Sequence, residues 1–164
     1  ILVSSPHCYQ TFKNEYPEFR VNFEVVHISQ LLAELIREGR LEPNKESGKK
    51  VTYHDPCYLG RHNGIYDEPR EALAKVPGLE LNEMPESRAN SFCCGGGGGR
   101  IWMETPQRER FSDIRLRQAM DVGAEVLVTS CPYCISNFEG SRETLGVVEN
   151  IEVKDVTEVI AEAL

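Results

Sequence analysis

Five of the six cysteines in this 164-residue chain fall into one spaced set. Thirty-five residues separate Cys57 from the adjacent pair Cys93-Cys94, and thirty-six separate that pair from Cys131-x-x-Cys134. A Cys-x-x-Cys pair entering a helix lets two thiolates take neighbouring corners of a metal centre while the helix N–H groups face their charge. That geometry suits zinc, iron–sulfur clusters and thiol redox alike. The adjacent pair is more selective, because successive side chains diverge and serve poorly as two corners of one tetrahedral zinc. They fit better on different irons of one cluster. Gly95–Gly99 follow at once, and their missing side chains let backbone N–H groups approach sulfide or thiolate closely. Five thiolates exceed the four of an ordinary cubane, so the set implies either a spare redox thiol or a centre of unusual shape. The glycine run is not a phosphate loop: no Lys-Ser or Lys-Thr follows it, and that reading leaves the cysteines before it unexplained.

Other residues take meaning from their distance to this set. His54 precedes Asp55-Pro56-Cys57 and is the candidate catalytic residue, placed to donate to a sulfide or relay a proton to a leaving thiolate; the alternative is a strand-end histidine bonded to a backbone carbonyl. Arg61 and Arg100, with Gly95 and Gly96, are the candidates for contacts to a bound cofactor, since a cation offsets a centre that thiolates make anionic. His7 and His27 read as structural, and Cys8 as a small buried side chain. Trp102 and Met103 read either as pocket lining or, more usually for such residues, as core.

Something must bring these positions together, and the intervening sequence supplies it. Aliphatic and β-branched runs alternate with helical patterns, the signature of an α/β fold: a mostly parallel sheet flanked by helices, with ligands in loops at the carboxyl ends of strands. The patterns predict strands at Ile1–Val3, Glu24–His27, Val51–His54, Leu79–Asn82, Glu125–Thr129 and Ile151–Val153. Helices are predicted at Tyr9–Tyr16, Ser29–Glu38, Glu68–Lys75, Pro106–Val122, Pro132–Thr144 and Asp155–Ala163. Residues 42–50, polar and carrying Pro43 and Gly48, read as a linker between a tail at 1–41 and a main unit at 51–164. A short echo supports that division: Ile1-Leu2-Val3-Ser4-Ser5-Pro6-His7-Cys8 resembles Val126-Leu127-Val128-Thr129-Ser130-Cys131-Pro132-Tyr133-Cys134, with Ser5 where the second copy has Cys131.

Bulk composition narrows the partners. A formal charge of −8, with no basic cluster, argues against nucleic acid or an anionic membrane surface. No apolar run approaches the ~18 residues of a membrane span. The chain starts at Ile1 with no signal segment and reads as a piece of a longer polypeptide; six cysteines without such a signal point to a reducing, cytoplasmic setting, with membrane association only through a partner.

Taken together, Tyr53-His54-Asp55-Pro56-Cys57-Tyr58-Leu59-Gly60-Arg61, Cys93-Cys94-Gly95 and Thr129-Ser130-Cys131-Pro132-Tyr133-Cys134 resemble the cysteine-rich CCG domain of the heterodisulfide reductase-like iron–sulfur oxidoreductases. The resemblance covers about residues 50–140, and Pro6-His7-Cys8 looks like the end of a first, degenerate copy. It implies that Cys57, Cys93, Cys94, Cys131 and Cys134 bind a non-cubane [4Fe–4S] cluster, as part of an oxidoreductase acting on a disulfide, thiol or quinone. It also implies partner domains or subunits with ferredoxin-type clusters or flavin, since this chain has no Cys-x-x-Cys-x-x-Cys run. Two alternatives from other classes stay in view: an electron-relay module of a flavin- or quinone-linked complex, and a structural zinc domain.

Overall fold

A computed structural model describes all 164 residues. Its main sheet has four parallel strands in the order β4-β3-β5-β6, where β3 is Lys50–Tyr53, β4 Glu80–Leu81, β5 Val126–Thr129 and β6 Glu152–Asp155. The α/β reading therefore holds, and each strand lies within a few residues of its predicted place. Side chains alternate across the sheet as the period of two requires. Val51, Tyr53, Val126 and Val128 enter one core with the helices α2 (Ile28–Arg37), α3 (Asp67–Leu73) and α6 (Val156–Glu162). Leu127 and Val153 enter the other, with α4 (Phe111–Asp121) and α5 (Pro132–Leu145). Both faces are covered, which is why β5, buried along its whole length, reads as an apolar run.

Strand order fixes where a site can form. The chain passes from β3 to β4 on one side, then returns to place β5 on the other side of β3. The loops leaving β3 and β5 thus diverge at the carboxyl edge, opening the crevice in which parallel sheets bind their ligands.

At the N-terminus, β1 (Leu2–Val3) pairs in parallel with β2 (Val26–His27) as a separate two-stranded sheet. Between them α1 (Pro6–Gln10) continues into a π-helical turn at Thr11–Glu15 and a 3-10 turn at Tyr16–Phe19, so the predicted helix begins earlier and is less regular than its pattern suggests. Helix α2 packs on α3 and α6, and its Leu32 belongs to the same core as Val51 and Val126. Residues 42–49 lack regular structure but are tied down, with the Asn44 and Lys45 amides donating to the Ala163 carbonyl and the Ser47 amide to that of Pro77. The other departure is α4, which starts at Phe111 and not at Pro106. Arg108 takes a positive φ of 74° there, and its amide donates to the Asp113 carboxylate at 2.8 Å, closing a turn ahead of the helix.

His27 holds the N-terminal unit together. It caps α2 by accepting from the Ser29 amide at 3.3 Å through Nδ1, while Nε2 donates to the Ser4 carbonyl at 3.2 Å. Burial lowers its pKa to about 4, the bond to Ser4 opposing the shift. The unfolded chain takes up a proton near 6.5, so between that pH and about 4 it binds more protons than the folded one, and stability falls as pH falls. The expected loss by pH 4 is about 3 kcal/mol. Denaturant titrations across this range should show a flatter pH dependence for His27→Asn, which can still cap the helix but cannot titrate; equal slopes in the two proteins would refute this role.

Candidate metal centre

Each of the five spaced cysteines follows a strand of the main sheet. Cys57 sits in the turn after β3, Cys93 and Cys94 in the loop after β4, and Cys131 at the N-cap of α5 directly after β5, with Pro132 at the first helical position and Cys134 one turn further on. The structure brings all five together. Their thiols follow one another as near neighbours, Cys57 beside Cys93, Cys93 beside Cys94, Cys94 beside Cys134 and Cys134 beside Cys131, with the Cys134 thiol donating to Cys94 Sγ. The Cys134–Cys94 sulfur separation is 3.2 Å, and no disulfide forms. Cys94, Cys131 and Cys134 are buried, Cys57 and Cys93 half-buried; Cys8 is exposed and outside the group, not buried as its sequence setting suggests.

Backbone donors face the sulfurs. The Gly95 amide donates to Cys93 Sγ at 3.2 Å and the Gly96 amide to Cys94 Sγ at 3.4 Å, while Cys131 stands at the N-cap of α5, where the helix start favours negative charge. The glycines are needed sterically as well. Gly95 has a φ of +79°, a region that side chains disfavour, and a Cβ there would stand 3.1 Å from Cβ of Phe111. Asn137 of α5 pins the loop by donating to the Cys94 carbonyl at 2.7 Å.

Protons are unevenly shared along this chain of sulfurs. Cys93 is held far below the ordinary thiol range, first by the hydrogen bonds from Cys57 and Cys94; Cys131 is lowered by its bond from Cys134. Cys57 and Cys134, the donors in those bonds, are pushed far up, with burial adding to the shift. Cys94 rises to about 12: its bond from Cys134 opposes the shift, but donation to Cys93 and burial outweigh it. Five sulfurs crowded this tightly cannot all ionise unless a cationic group shares their charge. The donor set therefore suits a soft, thiolate-ligated metal centre.

His54 completes the group from the end of β3. One ring nitrogen lies with the sulfurs of Cys94 and Cys134 so that all three atoms are within 4.8 Å of one another. Its Nδ1 faces Nε of the buried Arg115 at 3.3 Å. A guanidinium only donates, so Nδ1 accepts and the proton sits on Nε2. Burial first, and then the Arg115 charge, lower its pKa to about 3, so the ring is neutral. Of the candidate arginines, Arg61 donates to the Ser91 carbonyl at 2.8 Å, bracing the cysteine loop, and the Arg100 guanidinium lies 4.0 Å over the Phe111 ring. Trp102 and Met103 are exposed and not in the core.

Several supporting residues escape sequence reasoning. Asp55 bonds Arg70 through both carboxylate oxygens, at 2.7 and 2.9 Å, and its Oδ2 also accepts from the Arg88 amide at 2.7 Å; the Ser91 hydroxyl donates to its carbonyl. This buried network ties the Cys57 turn to the approach of Cys93. Arg115 is buried on the face of α4 that also carries Ser112, Leu116 and Ala119, and as a charged residue on that helix it gives no sign of this in the sequence.

With that geometry in place, comparison with known proteins is decisive. The sequence model of the cysteine-rich domain family, CCG, matches residues 51–139, more than half the chain. The chain belongs to this family, that of the heterodisulfide reductase-like iron–sulfur oxidoreductases. It is 40% identical over 164 residues to a probable iron–sulfur-binding oxidoreductase, FadF, of Bacillus subtilis, and 42% identical over 171 residues to an EtfAB:quinone oxidoreductase of Syntrophomonas wolfei. It is 35% identical over 167 residues to one of the subunits of a dihydromethanophenazine:CoB–CoM heterodisulfide reductase of Methanosarcina barkeri. All of this chain is covered in each case, but only 23, 24 and 40% of the respective relatives. This CCG chain therefore spans well under half the length of the curated relatives it matches. None of its helices is long and apolar enough to cross a membrane.

Proposed function

We propose that this CCG domain holds a non-cubane [4Fe–4S] cluster on Cys57, Cys93, Cys94, Cys131 and Cys134 and serves two-electron redox chemistry at sulfur within a larger oxidoreductase. The observation that carries this reading is the convergence of five thiols at the point where the sheet reverses its strand order. When bound, the cluster would supply one-electron steps that sum to the two electrons needed to split a disulfide into two thiols, with two protons taken up.

The chain's own residues do the rest. Amides of Gly95 and Gly96 and the first turn of α5 lower the cost of negative charge on sulfur. Arg115 fixes the His54 tautomer, so that a neutral Nε2–H is available as a hydrogen-bond donor to sulfur. Leu116, Leu127 and Phe138 close one side of the site to water.

Electrons would arrive from ferredoxin-type clusters or flavin in other domains or subunits. Residues 1–41 are best read as the tail of a degenerate first copy, joined through 42–50 to the domain at 51–164. Ser5 caps α1 in extended backbone before Pro6, as Cys131 caps α5 before Pro132. The EtfAB:quinone oxidoreductase relative favours a second reading, in which the domain relays electrons between flavin and quinone with no substrate of its own.

Protein purified without oxygen should contain about four iron and four acid-labile sulfide per chain; zinc in their place would overturn the cluster reading. A change in the paramagnetic spectrum on adding a small disulfide or thiol separates sulfur chemistry from relay, which predicts none.

A further inference from the structure

We infer that the cavity between the glycine loop and helices α4 and α5 is a subsite for a small ligand with an oxyanion head group, carboxylate or phosphate, seated against the thiol loop. The idea deepens the proposed function by assigning that site a substrate class. The cavity holds about 220 Å³ and is lined by Cys94 and Gly95 on one hand and by Arg100, Arg110 and Asn137 on the other. That volume is below the ~300–1,000 Å³ of sites for drug-sized molecules, so it suits a head group and not a whole cofactor.

Charge supplies the argument for an anion. The chain carries 26 acidic residues against 18 basic ones, yet no Asp or Glu lines this cavity. Neither Arg100 nor Arg110 forms an ion pair with any carboxylate of the chain. Arg100 is held flat against Phe111, with its guanidinium carbon 4.0 Å from the ring centre. Stacking satisfies the face of a guanidinium and leaves its N–H edge free, the geometry in which arginine binds oxyanions through paired hydrogen bonds. Phe111 and Arg110 are neighbours at the start of α4, so one helix entry positions both cations. The hydroxyl of Thr105, also on the wall, adds a neutral donor.

Its place beside Cys94 gives the subsite its use. A ligand anchored by its anionic end between the two arginines lies in a cavity that Cys94, the acceptor of the Cys134 thiol, also lines. Gly95 lets the loop pack closely against Phe111 at the cavity wall, since a Cβ there would stand 3.1 Å from Cβ of Phe111.

Trp102, the single tryptophan of the chain, is exposed and adjoins the lining residues Ile101 and Met103, which makes its emission a probe at the cavity's edge. The test titrates the iron-loaded protein with inorganic phosphate and, separately, with malonate, at ionic strength held constant with potassium chloride. Saturable changes in Trp102 emission and saturable calorimetric heats are expected for at least one of the two, the responding anion identifying the head group. Arg100→Gln and Arg110→Gln should each weaken that binding about tenfold, the loss of one charge-assisted hydrogen bond. Arg108→Gln, which removes a nearby arginine outside the cavity, should leave it unchanged. Binding by neither anion, or equal weakening by all three substitutions, would overturn the subsite. Iron, zinc and sulfide measured on the same samples keep the two readings apart: full iron with no anion response removes only the subsite, and anion binding by protein that carries zinc in place of iron upholds it while removing the cluster.

Discussion

Cys94→Ser is expected to strip the protein of its metal, taking iron from about four atoms per chain to fewer than about one, whereas Cys8→Ser should leave iron unchanged. Cys94 is the middle member of the sulfur group, next to Cys93 on one side and accepting from Cys134 at 3.2 Å on the other, and it is buried. A hydroxyl in its place is a hard donor with a far higher pKa than a thiol, poorly matched to a soft iron centre. Cys8 is exposed and makes none of these contacts. Because ligand binding to the folded state alone adds to its stability, the Cys94 variant should also melt at a lower temperature than the anaerobically loaded parent. Iron analysis and thermal denaturation on matched anaerobic samples test both points. A Cys94→Ser protein with full iron would mean that the metal sits elsewhere or that the thiols converge for another reason.

Much of this site was legible before any coordinates, for reasons that differ from residue to residue. Cysteine is rare and chemically narrow, so spacing alone marks Cys57, Cys93, Cys94, Cys131 and Cys134 as a set. Parallel strands buried on both faces, such as Val126–Thr129, announce themselves as apolar runs, and the loops after them must meet at one edge. What sequence does not disclose is the packing of charged residues in the interior. Arg115 and Arg70 look like ordinary polar positions on their helices, and only the fold reveals that His54 and Asp55 stand behind them. Helix starts fail for a similar reason: Pro106 is a favoured first residue, but the Asp113 carboxylate captures the Arg108 amide and holds the chain in a turn until Arg110. Trp102 reads as core by residue type, yet the glycines before it carry the chain out to the surface.

Arg70→Met should destabilise the fold by about 3–5 kcal/mol, among the largest losses expected of any single substitution outside the cysteines. Arg70 is buried and bridges two carboxylates, pairing with both oxygens of Asp55 and with Glu83. Burial by itself disfavours its charge, but the bonds to Asp55 and Glu83 outweigh that and raise its pKa above the ordinary value. Asp55 is only 2% exposed, so removing the guanidinium strands a carboxylate that water cannot reach. Methionine matches the length of the arginine stem, which restricts the effect to charge and hydrogen bonding. Adding Asp55→Asn should recover part of the loss, because the stranded charge is gone while the Arg88 amide keeps an acceptor; a cycle of the two substitutions by denaturant titration measures the coupling. Additive effects would contradict the pairing. The consequence reaches the metal centre, since Asp55 also holds Arg88 and Ser91 at the approach to Cys93 and lies two residues before Cys57. Arg70→Met should therefore lose iron faster than the parent under a chelator, even at a temperature where both are folded, and the double variant should fall between them.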